Sequence, residues 1–72
     1  MALTGVDGHR FRTVNAAVNS ALGTPRRRWR DVGGDDSGCG IDLWLASGKD
    51  RVYANLDQGH LNCCDFVPRE DA

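Results

Sequence analysis

Cysteines and a histidine in the second half of the chain are of the types that bind metals or act as nucleophiles. Cys63 and Cys64 closely follow His60, while Cys39 lies in a distant segment. A structural zinc site needs four such ligands that converge. Adjacent residues of an extended strand point to opposite faces, so Cys63 and Cys64 do not converge on one ion. We therefore predict no metal site, no cofactor and no catalytic residue, with a cysteine-based redox or metal module as a weaker alternative.

The cysteine count also indicates a cellular compartment. Three cysteines are an odd number in a short chain, whereas secreted disulfide scaffolds normally have an even set. The first residues show no basic region followed by an apolar stretch. No segment approaches the roughly 20 apolar residues of a membrane span. These features predict free thiols, a cytoplasmic location and no membrane partner.

A second group of residues combines aromatic rings with arginines. Guanidinium groups stack on rings and bind carboxylates or phosphates as a fork. Trp, Tyr and Arg dominate the energetics of many protein interfaces, and the same residue types form platforms for single-stranded nucleic acids. We predict that six of these residues form a binding site: Trp44, Tyr53, Arg28, Arg30, Arg51 and Phe66.

The overall charge favours one class of partner over another. The 72 residues carry a formal net charge of −1, whereas nucleic-acid binders usually show a clear basic excess. The basic cluster of residues 26–28 with Arg30 has two interpretations, phosphate contact or a solvated edge strand, and the sequence leaves both open. A protein or ribonucleoprotein partner is therefore the first prediction, and direct nucleic-acid binding is the second.

The chain is long enough for one small domain with a single core. Residues 1–8 have little pattern and are predicted to form a loose arm. Residues 26–32 alternate weakly around Trp29 and predict an edge strand loaded with arginine. Residues 33–40 are rich in glycine and predict a flexible loop. The charged residues 68–72 predict a frayed tail.

Apolar residues at helical spacing predict one helix over residues 10–22, with this stripe: Phe11, Val14, Val18, Ala21 and Leu22. Asn15 and Asn19 fall on its other, polar side. Gly23 stands where a left-handed C-cap is expected. Asp7 and Thr13 are both suitable for the N-cap, and the sequence does not choose between them.

Two alternating segments flank Gly48-Lys49, which fits a two-residue type II′ hairpin turn. The implied register gives core pairs Leu45–Val52, Leu43–Ala54 and Ile41–Leu56. The same register gives pairs Trp44–Tyr53 and Asp42–Asn55 on the opposite face. A slip by one residue would invert both faces, so the pattern and the turn support each other.

A second turn over residues 57–60 leads to a third strand over residues 61–67. A register centred on Gln58-Gly59 predicts Leu61 and Cys63 in the core, with Cys64 and Phe66 beside Tyr53 on the opposite face. The predicted fold class is α+β, with one N-terminal helix packed on a three- or four-stranded antiparallel sheet. The face away from the helix is predicted to present these residues: Arg28, Arg30, Asp42, Trp44, Arg51, Tyr53, Asn55, Asn62 and Phe66.

A domain this small has little apolar surface to spare, so an outward aromatic face predicts a partner. The expected function is a small non-enzymatic protein-interaction module, with a small nucleic-acid-binding domain as the alternative. In size, charge and fold class the chain resembles the single-domain inhibitors encoded by phages and mobile elements, such as anti-CRISPR proteins. No individual motif carries this resemblance. Both a monomer and a homodimer are compatible with the face.

Overall fold

Most of the chain folds into strands that follow one another along the sequence. The computed structural model describes residues 2–68, apart from the side chain of Ser37. The elements are β1 (Leu3–Thr4), β2 (Arg10–Phe11), α1 (Val14–Leu22), β3 (Arg30–Ser37), β4 (Gly40–Ser47), β5 (Asp50–Asp57) and β6 (His60–Phe66). They form one six-stranded sheet in the order β2-β1-β6-β5-β4-β3.

The predicted three- or four-stranded antiparallel sheet is wrong, because the first residues add two strands to it. The Thr4 amide donates to the Gly59 carbonyl at 2.8 Å, and β1 runs parallel to β6. β1 also pairs with β2 in the antiparallel sense, which makes the sheet mixed. Strands of two residues are too short to show any alternation of apolar and polar residues, so the sequence pattern did not reveal them.

The β4–β5 hairpin has the predicted register at every core and opposite-face pair. Gly48 adopts a φ of 60°, and Lys49 does not adopt a positive φ. This is the sign pattern of a type II′ turn, whose first central residue favours glycine. The predicted turn and pairing register are confirmed, but Ile41, which was predicted in a core pair, is 45% exposed at the start of β4.

Strand β3 occupies much of the stretch that was predicted to be a flexible loop. Gly33 pairs with Trp44 and Gly34 pairs with Leu43, so the ladder to β4 fixes backbone that glycine alone would leave free. A bulge interrupts this pairing between Asp31 and Gly33. The strand is at the edge of the sheet as expected, but it begins at Arg30 and contains acidic residues and glycine in place of the predicted arginines.

The helix is shorter than predicted and begins at Val14. Thr13 is its N-cap, and the Thr13 hydroxyl accepts from the Ala16 amide at 3.1 Å. Gly23 ends the helix with a φ of 68°, which confirms the predicted left-handed C-cap. The predicted first turn is instead β2, because Arg10 and Phe11 pair with β1.

Two asparagines of α1 fasten the segment that precedes β3. The side-chain amides of Asn15 and Asn19 donate to the Arg27 carbonyl at 3.0 and 2.8 Å. The side-chain oxygen Oδ1 of Asn15 accepts a hydrogen bond from the Trp29 backbone amide at 2.7 Å. Oδ1 of Asn19 accepts one from the Trp29 indole at 2.8 Å. The polar side of the helix is therefore half-buried against residues 27–29, where the sequence predicted only an outward face.

The core lies between α1 and one face of the sheet, which we call the helix face. Its buried members are Ala17, Val18, Leu45, Val52, Ala54 and Leu61. Half-buried apolar residues pack around them: Leu3, Phe11, Val14, Leu22, Trp29, Leu43, Leu56 and Cys64. Residues 2–68 contain no helix that is long and apolar enough to cross a membrane.

The register of β6 differs from the predicted one because of a bulge. Asn55 pairs with Cys63 and Leu56 pairs with Leu61, which leaves Asn62 as the extra residue. Leu61 is in the core as predicted, but every residue after the bulge lies on the face opposite to the one expected. Phe66 is therefore on the helix face, opposite Val52.

Candidate functional site

On the face of the sheet away from α1, here called the open face, three neighbouring rows of side chains run across the strands. The arginine row contains Arg30, Ala46 and Arg51. The ring row contains Gly33, Trp44, Tyr53 and Asp65. The acid row contains Asp35, Asp42, Asn55 and Cys63. Charges of opposite sign thus lie on either side of two aromatic rings.

The ring row is the apolar centre of this face. The Trp44 and Tyr53 rings have centroids 4.9 Å apart and planes tilted by 50°. Trp44 is 44% exposed, although it lies in the second strand from the edge. Its neighbour on β3 is Gly33, where even a Cβ atom would lie 3.8 Å from Trp44 Cδ1. The missing side chain leaves the indole open towards β3.

Hydrogen bonds in the acid row hold the ring pair in place. The Tyr53 hydroxyl donates to Asp42 Oδ1 at 2.6 Å, and the side-chain amide of Asn55 donates to the same oxygen at 2.9 Å. The Asn62 amide donates in turn to Asn55 Oδ1 at 2.9 Å. Asn55 is only 7% exposed, so this network has one almost fully buried member. Such networks fix side-chain rotamers and pre-organise a surface.

These bonds set the ionisation of two groups. The bonds donated by Tyr53 and then Asn55 lower the pKa of Asp42 below its usual 3.8. The bond to Asp42, with a contribution from burial, raises the pKa of Tyr53 to about 12. At neutral pH the carboxylate is ionised and the phenol is neutral. A base with a lowered pKa is poorly suited to proton transfer near neutral pH, so Asp42 lacks the pKa expected of a general base.

Two of the predicted arginines lie on the open face, and one does not belong to its rows. Arg30 and Arg51 stand on either side of Ala46. The Arg51 guanidinium also donates to the carbonyls of Gly48 and Asp50, both at 3.0 Å. Arg28 is exposed in the segment before β3, outside the three rows.

Arg27, which the sequence did not single out from its neighbours, has a structural role instead. Its guanidinium forms an ion pair with Asp50 and lies 5.4 Å from the centroid of the Trp29 ring. This arginine belongs to the helix face. The basic cluster of residues 26–28 with Arg30 is therefore divided, because Arg27 is on the helix face and Arg30 is on the open face.

The prediction that Phe66 lies on the open face is wrong. Its ring is 6.2 Å from the Trp29 ring, with planes at 60°, and the side chain is 46% exposed. The bulge at Asn62 moved it to the helix face. Trp44, Tyr53, Arg30 and Arg51 are the predicted site residues that the structure brings together.

Two carboxylates of the open face were not anticipated. Asp35 pairs with Asp42, and Asp65 pairs with Tyr53. Asp35 was missed because residues 33–40 were read as a loop, and Asp65 because the register of β6 was shifted. Glycine and aspartate are both rare in strands, so the pairs Gly33-Gly34 and Asp35-Asp36 give no strand signal. No local feature marks the bulge that places Asp65 on this face.

The thiols do not form a common site. Cys63 lies on the open face and Cys64 on the helix face, so they point apart as expected, but with the two faces exchanged. Burial, followed by the charges of Asp65 and Cys63, raises the pKa of the Cys64 thiol to about 11. Cys39 is in the exposed turn between β3 and β4. Within residues 2–68 no three His, Cys, Asp or Glu side chains are grouped so as to hold a metal ion.

The helix face has a groove that is more apolar than the open face. This groove of about 350 Å³ is lined chiefly by apolar residues, including Leu3, Val14 and Leu56. It lacks the ring pair and the ordered carboxylate of the open face. The open face is therefore the better candidate site.

Comparisons with protein-family models, with curated proteins and with solved structures find no match to this chain.

Proposed function

We propose that the protein is a small non-enzymatic interaction module that binds a protein surface through its open face. One observation supports this most: a half-exposed tryptophan packs against a tyrosine whose hydroxyl is fixed to an ionised carboxylate. Rigid aromatic anchors lose little side-chain entropy on binding and are typical of interface hot spots. The partner is a protein or the protein part of a ribonucleoprotein.

The specific form of this proposal is an inhibitor of the kind that phages and mobile elements encode, such as an anti-CRISPR protein. Its support is the general character of the chain: 72 residues, a net charge of −1 and one aromatic sheet face. A non-enzymatic inhibitor of this kind would act by covering a surface of its target. A fixed ring pair at the centre of a face suits that role.

Single-stranded nucleic acid is the second candidate, and one observation favours it. Arg30 and Arg51 lie in the row next to the rings, so a base could stack while its phosphates meet guanidinium groups. Several carboxylates share the same face, however, among them Asp35, Asp42 and Asp65. They repel a phosphate backbone, which is why a protein partner is preferred.

The proposal is tested by affinity capture with matched aromatic variants. Immobilised wild-type protein, Trp44→Ala and Phe66→Ala are each exposed to lysate from cells of the source organism, and retained proteins are quantified by mass spectrometry. Trp44 and Phe66 are exposed to 44% and 46%, but they lie on opposite faces. Trp44→Ala should weaken binding at least about thirtyfold, since loss of a hot-spot aromatic costs ~2 kcal/mol or more.

Phe66→Ala is the control and should retain the partner. Equal retention by wild type and Trp44→Ala would contradict the proposal, as would loss of binding in Phe66→Ala alone. Titration of the wild type with single-stranded RNA and DNA separates the second candidate. Binding of either that falls steeply with added salt would support a nucleic-acid module.

A further inference from the structure

The charges of the open face are arranged so that the face is complementary to itself. The arginine row lies on one side of the ring row, and the acid row lies on the other. Arg30 and Asp35 stand at the β3 ends of these two rows. Among residues 2–68, neither side chain has a hydrogen-bond or ion-pair partner. Both charges are thus available to a second molecule.

Two sheets that pack face to face keep their strands within about 30° of each other. For two identical faces, a two-fold axis between them runs either along the strands or across them. An axis along the strands places arginine row on arginine row and acid row on acid row. An axis across the strands, through the ring row, places each arginine row on the acid row of the other copy. Electrostatics therefore selects the second arrangement.

We propose that a second copy of this chain binds the open face about a two-fold axis that runs across the strands through the ring row. Trp44 of each copy packs on Trp44 of the other, and Arg30 of each copy meets Asp35 of the other. The inference rests on the proposed function, since it takes the open face as the interaction surface. To the proposed function it adds that one partner is a second copy of the chain, and it specifies how that copy is oriented.

The pattern also indicates how strong this dimer is. The face is one side of a 72-residue domain, and interfaces at the small end of the range are weak and reversible. Asp65 lies in the ring row, so the two-fold axis brings it against Asp65 of the other copy. This like-charge contact at the rim opposes association. We expect a dimer in exchange with monomer, with the open face still accessible to another protein.

Charge reversal within one chain tests the orientation. Sedimentation equilibrium over roughly 10 µM to 1 mM measures self-association of the wild type, Arg30→Glu, Asp35→Arg and the double variant. Each single reversal should weaken the dimer at least about tenfold, because it places like charges together twice per dimer. The double variant should regain wild-type affinity. Arg30 and Asp35 lie in different rows of one copy, so recovery reports contact between copies.

Further variants keep the test decisive. Circular dichroism confirms that each reversed chain is folded; if one is not, the neutral variants Arg30→Gln and Asp35→Asn replace it, and each should weaken the dimer. Asp65→Asn should tighten the dimer, because it removes the repulsion at the axis. A wild type that stays monomeric at about 1 mM would overturn the inference, as would a double variant that remains as weak as the single variants.

Failure of this inference is distinguishable from failure of the proposed function. A monomeric wild type whose captured partner is lost in Trp44→Ala refutes only the dimer. A dimer that Trp44→Ala disrupts, together with capture that does not depend on Trp44, refutes only the heterologous binding role of the face.

Discussion

The two faces of the sheet are held by different interactions. On the helix face, aliphatic side chains such as Val52 and Leu61 are completely buried under α1. On the open face, a chain of hydrogen bonds from Asn62 through Asn55 to Asp42 stands where a second apolar layer would otherwise be. The comparison shows that burial stabilises this fold, while directional polar contacts shape the surface that remains for a partner.

The largest expected effect separates the faces by stability. Leu61→Ala should lower the free energy of unfolding by ~2–5 kcal/mol, because the site is fully buried and the cavity relaxes only in part. Trp44→Ala should cost less, because the indole is 44% exposed; its ring-pair contact contributes about 0.5–1.5 kcal/mol beyond the loss of its buried area. Denaturant unfolding followed by circular dichroism measures both. A larger loss for Trp44→Ala would show that the open face carries the core.

Hydrogen bonds between α1 and residues 27–29 add a polar contribution to the stability of the helix face, beside its aliphatic core. Asn19→Ala removes the acceptor of the Trp29 indole and a donor to the Arg27 carbonyl. The cost should be ~1–3 kcal/mol, since partly buried groups lose their partners. Ser20→Ala, at an exposed position of the same helix, should change stability by about 0.5 kcal/mol or less.

The fluorescence of Trp29 gives a second test of the hydrogen bond between its indole and Asn19. In a Trp44→Phe background, the Asn19→Ala change should shift Trp29 emission to longer wavelength as the indole gains contact with water. Unchanged emission and stability would show that the asparagine contacts are dispensable, and the helix face would then rest on aliphatic burial alone.

The contribution of the open-face hydrogen bonds to stability is tested at Asn55, the buried residue of that network. Asn55→Ala should destabilise the fold by ~1–3 kcal/mol, because Asn55 both donates to Asp42 and accepts from Asn62 at a 7%-exposed position. Asn62→Ala removes only the outer bond of the network, from an exposed side chain, and should cost less. Equal costs would show that the buried Asn55 contributes no more to stability than the exposed Asn62. That result would weaken the contrast between the faces.

The smallest effect sharpens the electrostatic description of the open face. Tyr53 is the only tyrosine of the chain, so the ultraviolet absorbance of phenolate reports its titration alone. In the folded protein its pKa should be about 12, against 10.0 for the ordinary side chain. Asp42→Asn should move the pKa back towards 10.0, and wild-type protein unfolded in denaturant should titrate near that value.

The same two groups set the direction of stability with pH. The neutral phenol is favoured in the folded state, so its contribution is complete below pH 10.0 and is lost as the pH rises through about 12. The Asp42 carboxylate is favoured in the folded state, so its contribution is present above pH 3.8 and is lost as the pH falls below that value. A folded-state phenol that titrates near 10.0 would contradict the Tyr53–Asp42 bond.

The hairpin and the third long strand differ in how well they could be predicted. In the β4–β5 hairpin, the turn residues Gly48-Lys49 and the apolar alternation specify the same register, and both faces were predicted correctly. In β6, the residues after the turn at Gln58-Gly59 continue to alternate, but one residue is absorbed by the bulge. Nothing local marks that position, so Phe66 was assigned to the wrong face.

The candidate site follows the same division. Trp44 and Tyr53 could be placed together because they lie in the hairpin whose register is fixed locally. Asp35 and Asp65 could not, because each lies in a strand whose pairing with the hairpin was not correctly predicted from the sequence. The acid row, and with it the opposed charges of the face, is a product of the assembled sheet.

The sequence by itself determined the features that depend on neighbours along the chain. These are the helix C-cap at Gly23, the type II′ turn at Gly48 and the pairing of the rings across it. The tertiary structure decided what no local pattern marks: the parallel contact of Thr4 with β6, the strand formed by residues 30–37 and the bulge at Asn62. The physical reason is that short or glycine-rich segments have little preference of their own and adopt the conformation in which their backbone groups find partners.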